Sequence, residues 1–536
     1  MKMTRRELFE GIGSLTLAAG MRSIAEAVEV PSASLQGENG PLRLAGTEAF
    51  TMEGDIAANM VMGIHADLLQ RNEASVEARA KLWSPDYSSR GNYEASVAAN
   101  RERFAKVIGL IDERISYTSP NVEMRLGDSP VVATGEGYRV YNVCWPVLGG
   151  VNAEGLLLEP DGRVTAQVVA LPDADWSPEM LVGIESGIEP EAHFARHLAE
   201  NGCRVLVPVL IDRKDTWSGN EKLGIHTNLT HREFIYRMAY EMGRHVIGYE
   251  VQKVLAAVDW FAKSTPQTGI GVIGYGEGAL LALYSAAVDR RIDAACVSGY
   301  FTSRQKLWQE PLYRNVWTLL HEFGDAEIAS LIAPRTLIVE ASRGPEISGP
   351  PPAVDGHRKC AASGSLVSPT LIDVRAEVER ARPVFAKLRA GNHLFCVPCD
   401  EGRGNPGSPE ALRVFLRALG VRGQFKPSGD APANARTSLE VSERMHRQLT
   451  QLVEFSQHAV IESESVRNQF WKKADPSSVE QWQRSAEFYR NYLWEEIFGK
   501  LPDVEENTPA QTRRLYVQPN WTGYEVFLPM WGEVFA

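Results

Sequence analysis

Apolar positions in the first third of the chain recur at helical spacing, and from about residue 138 they change to short, dense runs. Ile56, Met60, Ile64, Leu68 and Leu69 lie on one helical face, and a second helix is predicted around 93–111. The runs 138–147, 155–158 and 164–171 predict the opening strands of a sheet. A helix over 190–201 leads to a strand at 203–211, and a loop holding Asp212, Asp215 and Trp217 precedes one long helix over 231–263. Buried strands follow at 270–273, 292–299, 334–341 and 394–398, the first running through a glycine-rich turn into an apolar helix from Ala279. Strands alternating with helical runs predict a mostly parallel sheet with helices on both faces. The Pro/Gly-rich stretch 344–369 reads as a surface excursion, and a helix over 409–419 closes the pattern. Two amphipathic helices, 439–461 and 479–497, come after a polar linker. The second carries Trp482, Phe488, Tyr489, Tyr492 and Trp494, a set that more often covers another domain than forms a cofactor box.

With 536 residues, 44% hydrophobic and 23% charged, the chain has ordinary globular composition and length for more than one domain. A net charge of −12 argues against a nucleic-acid partner or an anionic membrane, both of which need a basic face. No apolar run reaches the length needed to span a bilayer. Cys144, Cys203, Cys296 and Cys396 sit in strand-like runs as small hydrophobes, Cys360 stands alone, and Cys396 with Cys399 forms a lone CxxC that allows a local disulfide. Thr4-Arg5-Arg6-Glu7-Leu8-Phe9, a mildly apolar stretch over 11–21 and Ala25-Glu26-Ala27 together read as a twin-arginine signal peptide over 1–27, which predicts a periplasmic or secreted protein. The remaining expected divisions are a flexible segment at 28–53, a helical region at 54–136, an α/β domain at 137–425 and helical segments over 437–500. Residues 501–536 read as the first strands of a further domain or as a strand that pairs with a partner.

The chemistry centres on Gly274-Tyr275-Gly276-Glu277-Gly278. Alone, such a turn is equally a phosphate loop or a plain buried turn, because glycine serves any tight bend or close backbone approach. Its neighbours narrow the reading. Placed between an apolar strand and an apolar helix, with strands at 292–299 and 334–341 beyond, it has the frame of G-x-S-x-G. Together with Glu154-Gly155-Leu156-Leu157-Leu158, Ala170-Leu171-Pro172-Asp173-Ala174-Asp175 and His231-Arg232-Glu233-Phe234, it resembles exported bacterial α/β-hydrolase-like proteins related to acetyl xylan esterases, dienelactone hydrolases and the prolyl oligopeptidase group, over about residues 80–425. Residues 482–536 resemble the junction that leads, in longer relatives, into a second hydrolase domain.

That resemblance implies a Ser–acid–His triad, and the chain departs from it. Gly276 holds the nucleophile position. Glu346 is the candidate acid, and the loop at 399–405 offers Asp400 where a histidine is expected. Pro172-Asp173 replaces the usual oxyanion-loop histidine-glycine, placing a carboxylate where donors are needed. Two readings follow. The first is a hydrolase-like domain that binds or scaffolds without catalysis, partnered by an active α/β-hydrolase domain docking on 437–536 and retaining a carbohydrate or ester pocket around Tyr275, Gly276, Glu277 and Asp212. The second is an active hydrolase or lyase using Glu346, Asp400, Asp173 and His231 as carboxylate acid/base groups or as metal ligands. Each of these four also has a plainer reading as a turn, cap or buried structural residue, no spacing matches a recognised metal motif, and no cofactor is expected.

Overall fold

The computed structural model describes residues 42–426, 429–436, 440–504 and 508–536, so the expected signal peptide lies outside the described residues. The chain forms two compact units, one from 79–466 and one from 42–78 with 467–536.

The larger unit is built on one sheet. Its main strands are β1 (Val131–Gly135), β2 (Tyr138–Leu148), β3 (Val151–Pro160), β4 (Ala166–Leu171), β5 (Cys203–Pro208), β6 (Gly269–Tyr275), β7 (Ala294–Ser298), β8 (Thr336–Ala341) and β9 (Leu394–Pro398). Across the sheet the order is β9-β8-β7-β6-β4-β5-β3-β2-β1. From β9 to β5 every pairing is parallel, while β5–β3, β3–β2 and β2–β1 are antiparallel. Alternation of side chains explains the two layers. Val169 and Leu171 of β4 join one apolar cluster, and Val168 and Ala170 join the other. Both faces are covered, so the strands read as unbroken apolar runs.

Seven helices do most of the covering: α1 (Phe194–Glu200), α2 (His231–Tyr240), α3 (Val246–Ser264), α4 (Glu277–Val288), α5 (Asp325–Ile332), α6 (Leu371–Lys387) and α7 (Pro409–Ala418). Helices α3, α4, α5 and α6 pack on one face, and α1 and α7 on the other. The reversal at β4–β5 and the glycine turn from β6 into α4 give an α/β-hydrolase-like fold.

Several local expectations change, among them the helix around 93–111, which is two helices, Arg90–Ser96 and Ala98–Val107. The single helix expected over 231–263 is two helices, α2 and α3. The chain turns at Gly243, at φ +68°, and His245 restarts the helix by accepting the Ile247 N–H on Nδ1 at 3.1 Å. Helix α6 was not anticipated. Thr370 caps it, accepting from the Asp373 N–H at 3.2 Å, directly after the proline-rich excursion that obscured its start. All six cysteines are free thiols, so no Cys396–Cys399 bridge forms.

The smaller unit holds the helix Ile56–Ala78 and an antiparallel hairpin, Gln511–Gln518 with Trp521–Phe527. Glu48–Ala49 adds a parallel strand to that hairpin's edge. Phe470, Trp471 and Tyr489 cluster there, with Trp471 and Tyr489 stacked at 4.2 Å, while Trp482, Phe488 and Trp494 remain exposed. Among the described residues no helix is long and apolar enough to cross a membrane.

Candidate functional site: a glycine elbow filled by a carboxylate

Strand β6 delivers Gly276 to the carboxyl end of the sheet, where α/β folds bind ligands. Gly276 adopts φ +57° and ψ −116°, a conformation that costs an ordinary L-residue strain and glycine none. The elbow is therefore bent as a strand–nucleophile–helix turn is bent. Gly278 follows for a steric reason: a Cβ there would run into the carbonyls of Leu171 and Pro172.

The space a side chain at 276 would enter belongs to Asp173. A Cβ on Gly276 would overlap Asp173 Oδ1 and lie 2.9 Å from Pro345 Cγ. That same Oδ1 accepts the backbone N–H of Glu277 at 2.9 Å. In a G-x-S-x-G hydrolase the N–H of the residue after the nucleophile is an oxyanion donor. Here it is occupied by the protein's own carboxylate.

A buried ionic network holds Asp173 in place. Arg213 grips it with Nη1 to Oδ2 at 2.6 Å and Nη2 to Oδ1 at 3.1 Å. Arg213 also binds Asp175 Oδ2 at 2.8 Å, Glu277 Oε1 at 3.2 Å and, through Nε, the Tyr313 hydroxyl at 2.8 Å. Arg314 Nε donates to Glu277 Oε1 at 2.7 Å, and Arg232, bidentate on Glu250 at 2.9 and 2.8 Å, stands 3.6 Å from Glu277 Oε2. Glu277 is fully buried. Burial pushes its pKa up, but Arg314, Arg232 and Arg213 outweigh burial and hold it at about 2. Asp173 follows the same pattern, with burial opposed by Arg213 and a net lowering. Both carboxylates are thus charged and paired, which makes them poor proton carriers near neutral pH.

Above the elbow lies a cleft of about 440 Å³. Trp176 and Tyr275 stack at 4.6 Å in its wall, beside Asp175, Glu189 and Glu346, with Arg343 the lining cation. Asn405 lines it from the loop after β9, the segment in which a triad histidine is expected, and no histidine is among the lining residues described.

The other candidates are dispersed. Glu346 is exposed at the cleft rim and also faces an adjoining groove with Arg343 and Arg403. Asp400 is exposed, at φ +45°, and does not line the cleft. His231 and Asp212 do meet, Nδ1 to Oδ1 at 2.5 Å, but away from the cleft. His231 is fully buried, and its Nε2 accepts the Trp217 N–H at 3.0 Å, which places the ring proton on Nδ1. Both ring nitrogens are engaged in ordering the 212–217 loop. Glu340, at the end of β8, is likewise committed: it accepts from Ser298 Oγ at 2.5 Å and from the N–H groups of Gly407 and Ser408 at 2.8 and 2.7 Å. Among the described residues no cluster of metal-ligating side chains occurs.

Arg213, Arg314 and Trp176 escaped sequence reasoning. One signal pointed to the arginines: Glu277 opens an otherwise apolar helix, and a buried carboxylate requires cationic partners.

No protein-family model matches the chain, and no curated protein matches it. Among solved structures, it is similar to a methylesterase at 13% identity, covering 78% of this chain and 82% of that one, with a TM-score of 0.43. It is similar to a provisionally assigned acetyl xylan esterase from Bacteroides fragilis at 15% identity, covering 65% and 89%, with a TM-score of 0.42. A glucuronoyl esterase from Solibacter usitatus is similar at 12% identity, covering 62% and 94%, with a TM-score of 0.39.

Proposed function

We propose that this chain is a binding member of the α/β-hydrolase-like fold in which the acyl-transfer machinery has been replaced by a structural ion network. One observation carries the reading: Asp173 Oδ1 accepts the Glu277 N–H and fills the volume a side chain at 276 would need. Acyl transfer needs a nucleophile, a base in reach and free oxyanion donors. At this elbow the first is a glycine, the third is occupied, and the cleft residues that replace the second are carboxylates, Asn405 and Arg343.

The cleft remains as a ligand site. The Trp176–Tyr275 stack offers an apolar platform, and Asp175, Glu189 and Glu346 offer acceptors for hydroxyl groups, which suits a carbohydrate or a carbohydrate ester that is held rather than cleaved. The twin-arginine pattern at Arg5 and Arg6 supports a location outside the cytoplasm, and the exposed aromatic side chains at Trp482, Phe488 and Trp494 favour a docking role for 437–536, with an active hydrolase domain as partner.

The test is turnover. The purified full chain should hydrolyse p-nitrophenyl acetate and acetylated xylo-oligosaccharides at no more than the rate of a heat-denatured control. Saturable hydrolysis that disappears on replacing Glu346 or Asp400 would overturn the reading.

A further inference from the structure

A second groove, of about 740 Å³, lies at the opposite end of the sheet from the elbow. Its walls come from the segment before β4 (Gly162, Arg163), the end of α1 (Glu200 to Gly202) and the end of α7 with the chain beyond it. Arg163, Arg413, Arg417, Arg422 and Lys426 line it, all exposed. None of their side chains is within salt-bridge distance of a carboxylate among the described residues, although Lys426 acts electrostatically on Glu200, which also lines the groove.

That concentration is unusual for a chain of net charge −12 whose other arginines are mostly paired. Part of it has a local cause: helices α1 and α7 both end here, and a cation in a last turn, such as Arg417, offsets the helix dipole. The dipole does not account for Arg163, which precedes a strand, or for Arg422 and Lys426, which lie past the helix. Five cations against the two carboxylates of Glu136 and Glu200 leave the concavity cationic, and an anionic ligand would relieve the repulsion among them.

Two further features narrow the ligand. The Arg413 guanidinium lies over the Phe425 ring at 5.1 Å, giving a flat, partly apolar surface with charge at its edge. Glu136, exposed at the groove wall, adds a carboxylate acceptor. A site for a bare anion has no use for a carboxylate. A ligand carrying both anionic groups and hydroxyl donors on a ring satisfies cations, acceptor and flat surface together. We infer that this groove binds an acidic polysaccharide, with carboxylate or sulfate groups carried on hydroxylated rings. The inference does not depend on the state of the elbow.

The experiment is affinity electrophoresis and calorimetry of the full chain at low salt with four polymers: polygalacturonate, dextran sulfate, neutral dextran and polyaspartate. Binding of polygalacturonate or dextran sulfate is expected, the stronger of the two identifying the anionic group, with affinity falling as salt rises. Neutral dextran should not bind, and polyaspartate should bind at least tenfold more weakly. The variant R163A/R413A/R417A/R422A, altered only at exposed positions, should lose at least tenfold in affinity with an unchanged circular dichroism spectrum. R358A/K359A/K387A/R389A, which removes as many exposed cations elsewhere, should bind as the parent does. Failure of both acidic polysaccharides to bind, equal loss in the two variants, or polyaspartate binding as tightly would each overturn the inference.

Discussion

Replacing Gly276 by serine is the most revealing single change, because it restores the G-x-S-x-G pattern at a site rebuilt against it. Two costs add. A non-glycine residue at φ +57° and ψ −116° carries strain of about 1–3 kcal/mol. The new Cβ also displaces Asp173, which must give up the Glu277 N–H and part of its grip on Arg213. Breaking a buried ion pair outright costs about 3–5 kcal/mol. Arg213 keeps Asp175 and Glu277, so on the order of half of that figure applies. The sum is about 3–5 kcal/mol, a large part of the roughly 5–15 kcal/mol by which a domain is stable. Urea unfolding of the full chain, followed by tryptophan fluorescence, should show this loss for Gly276→Ser and for Gly276→Ala alike, and neither variant should gain esterase activity. Adding Asp173→Gly to Gly276→Ser removes the clash and should make the double change less destabilising than the sum of the two single ones. Stabilities of both single variants within about 0.5 kcal/mol of the parent would refute the packing argument, since that is the spread of neutral surface changes.

Three other outcomes follow from the same structure. Glu277 is held at about pKa 2 against an ordinary 4.5, so its contribution to stability is full above pH 4.5 and is lost as pH falls toward 2; Glu277→Gln should flatten stability across that window and destabilise at neutral pH, as acid titration of the unfolding midpoint would reveal. Trp176→Ala should weaken cleft binding of xylo-oligosaccharides at least tenfold by calorimetry while the fold persists, because its ring forms half of the stacked platform; unchanged affinity would remove the ligand from this cleft. Arg5→Lys with Arg6→Lys should hold the protein in the cytoplasm of its host, as cell fractionation would show, and unaltered export would exclude the twin-arginine route.

The sheet was legible because its strands are buried on both faces and so appear as unbroken apolar runs: 394–398 is Leu394–Pro398 in the structure, and 164–171 differs from Ala166–Leu171 only at its start. The break between α2 and α3 was hidden because apolar periodicity resumes directly after Gly243. At the elbow, the sequence exposes the missing serine, since that is local. It does not expose why the serine cannot simply return. Gly274 and Gly278 suggest a turn tolerant of serine at 276, whereas the obstruction comes from Asp173, 103 positions away, fixed by Arg213. Likewise Asp212 and His231 read as site candidates because both stand beside a loop, and only their hydrogen bonds reveal that they order it. Contacts of that range leave no periodic trace.

The central claim is that the elbow cannot form an acyl-enzyme, and intact-mass spectrometry after exposure to a fluorophosphonate probe tests it most directly. The native chain should acquire no stoichiometric adduct under conditions in which an active serine esterase is fully labelled. A single adduct per chain, abolished by replacing one serine with alanine, would show a working nucleophile with free oxyanion donors and would contradict the account.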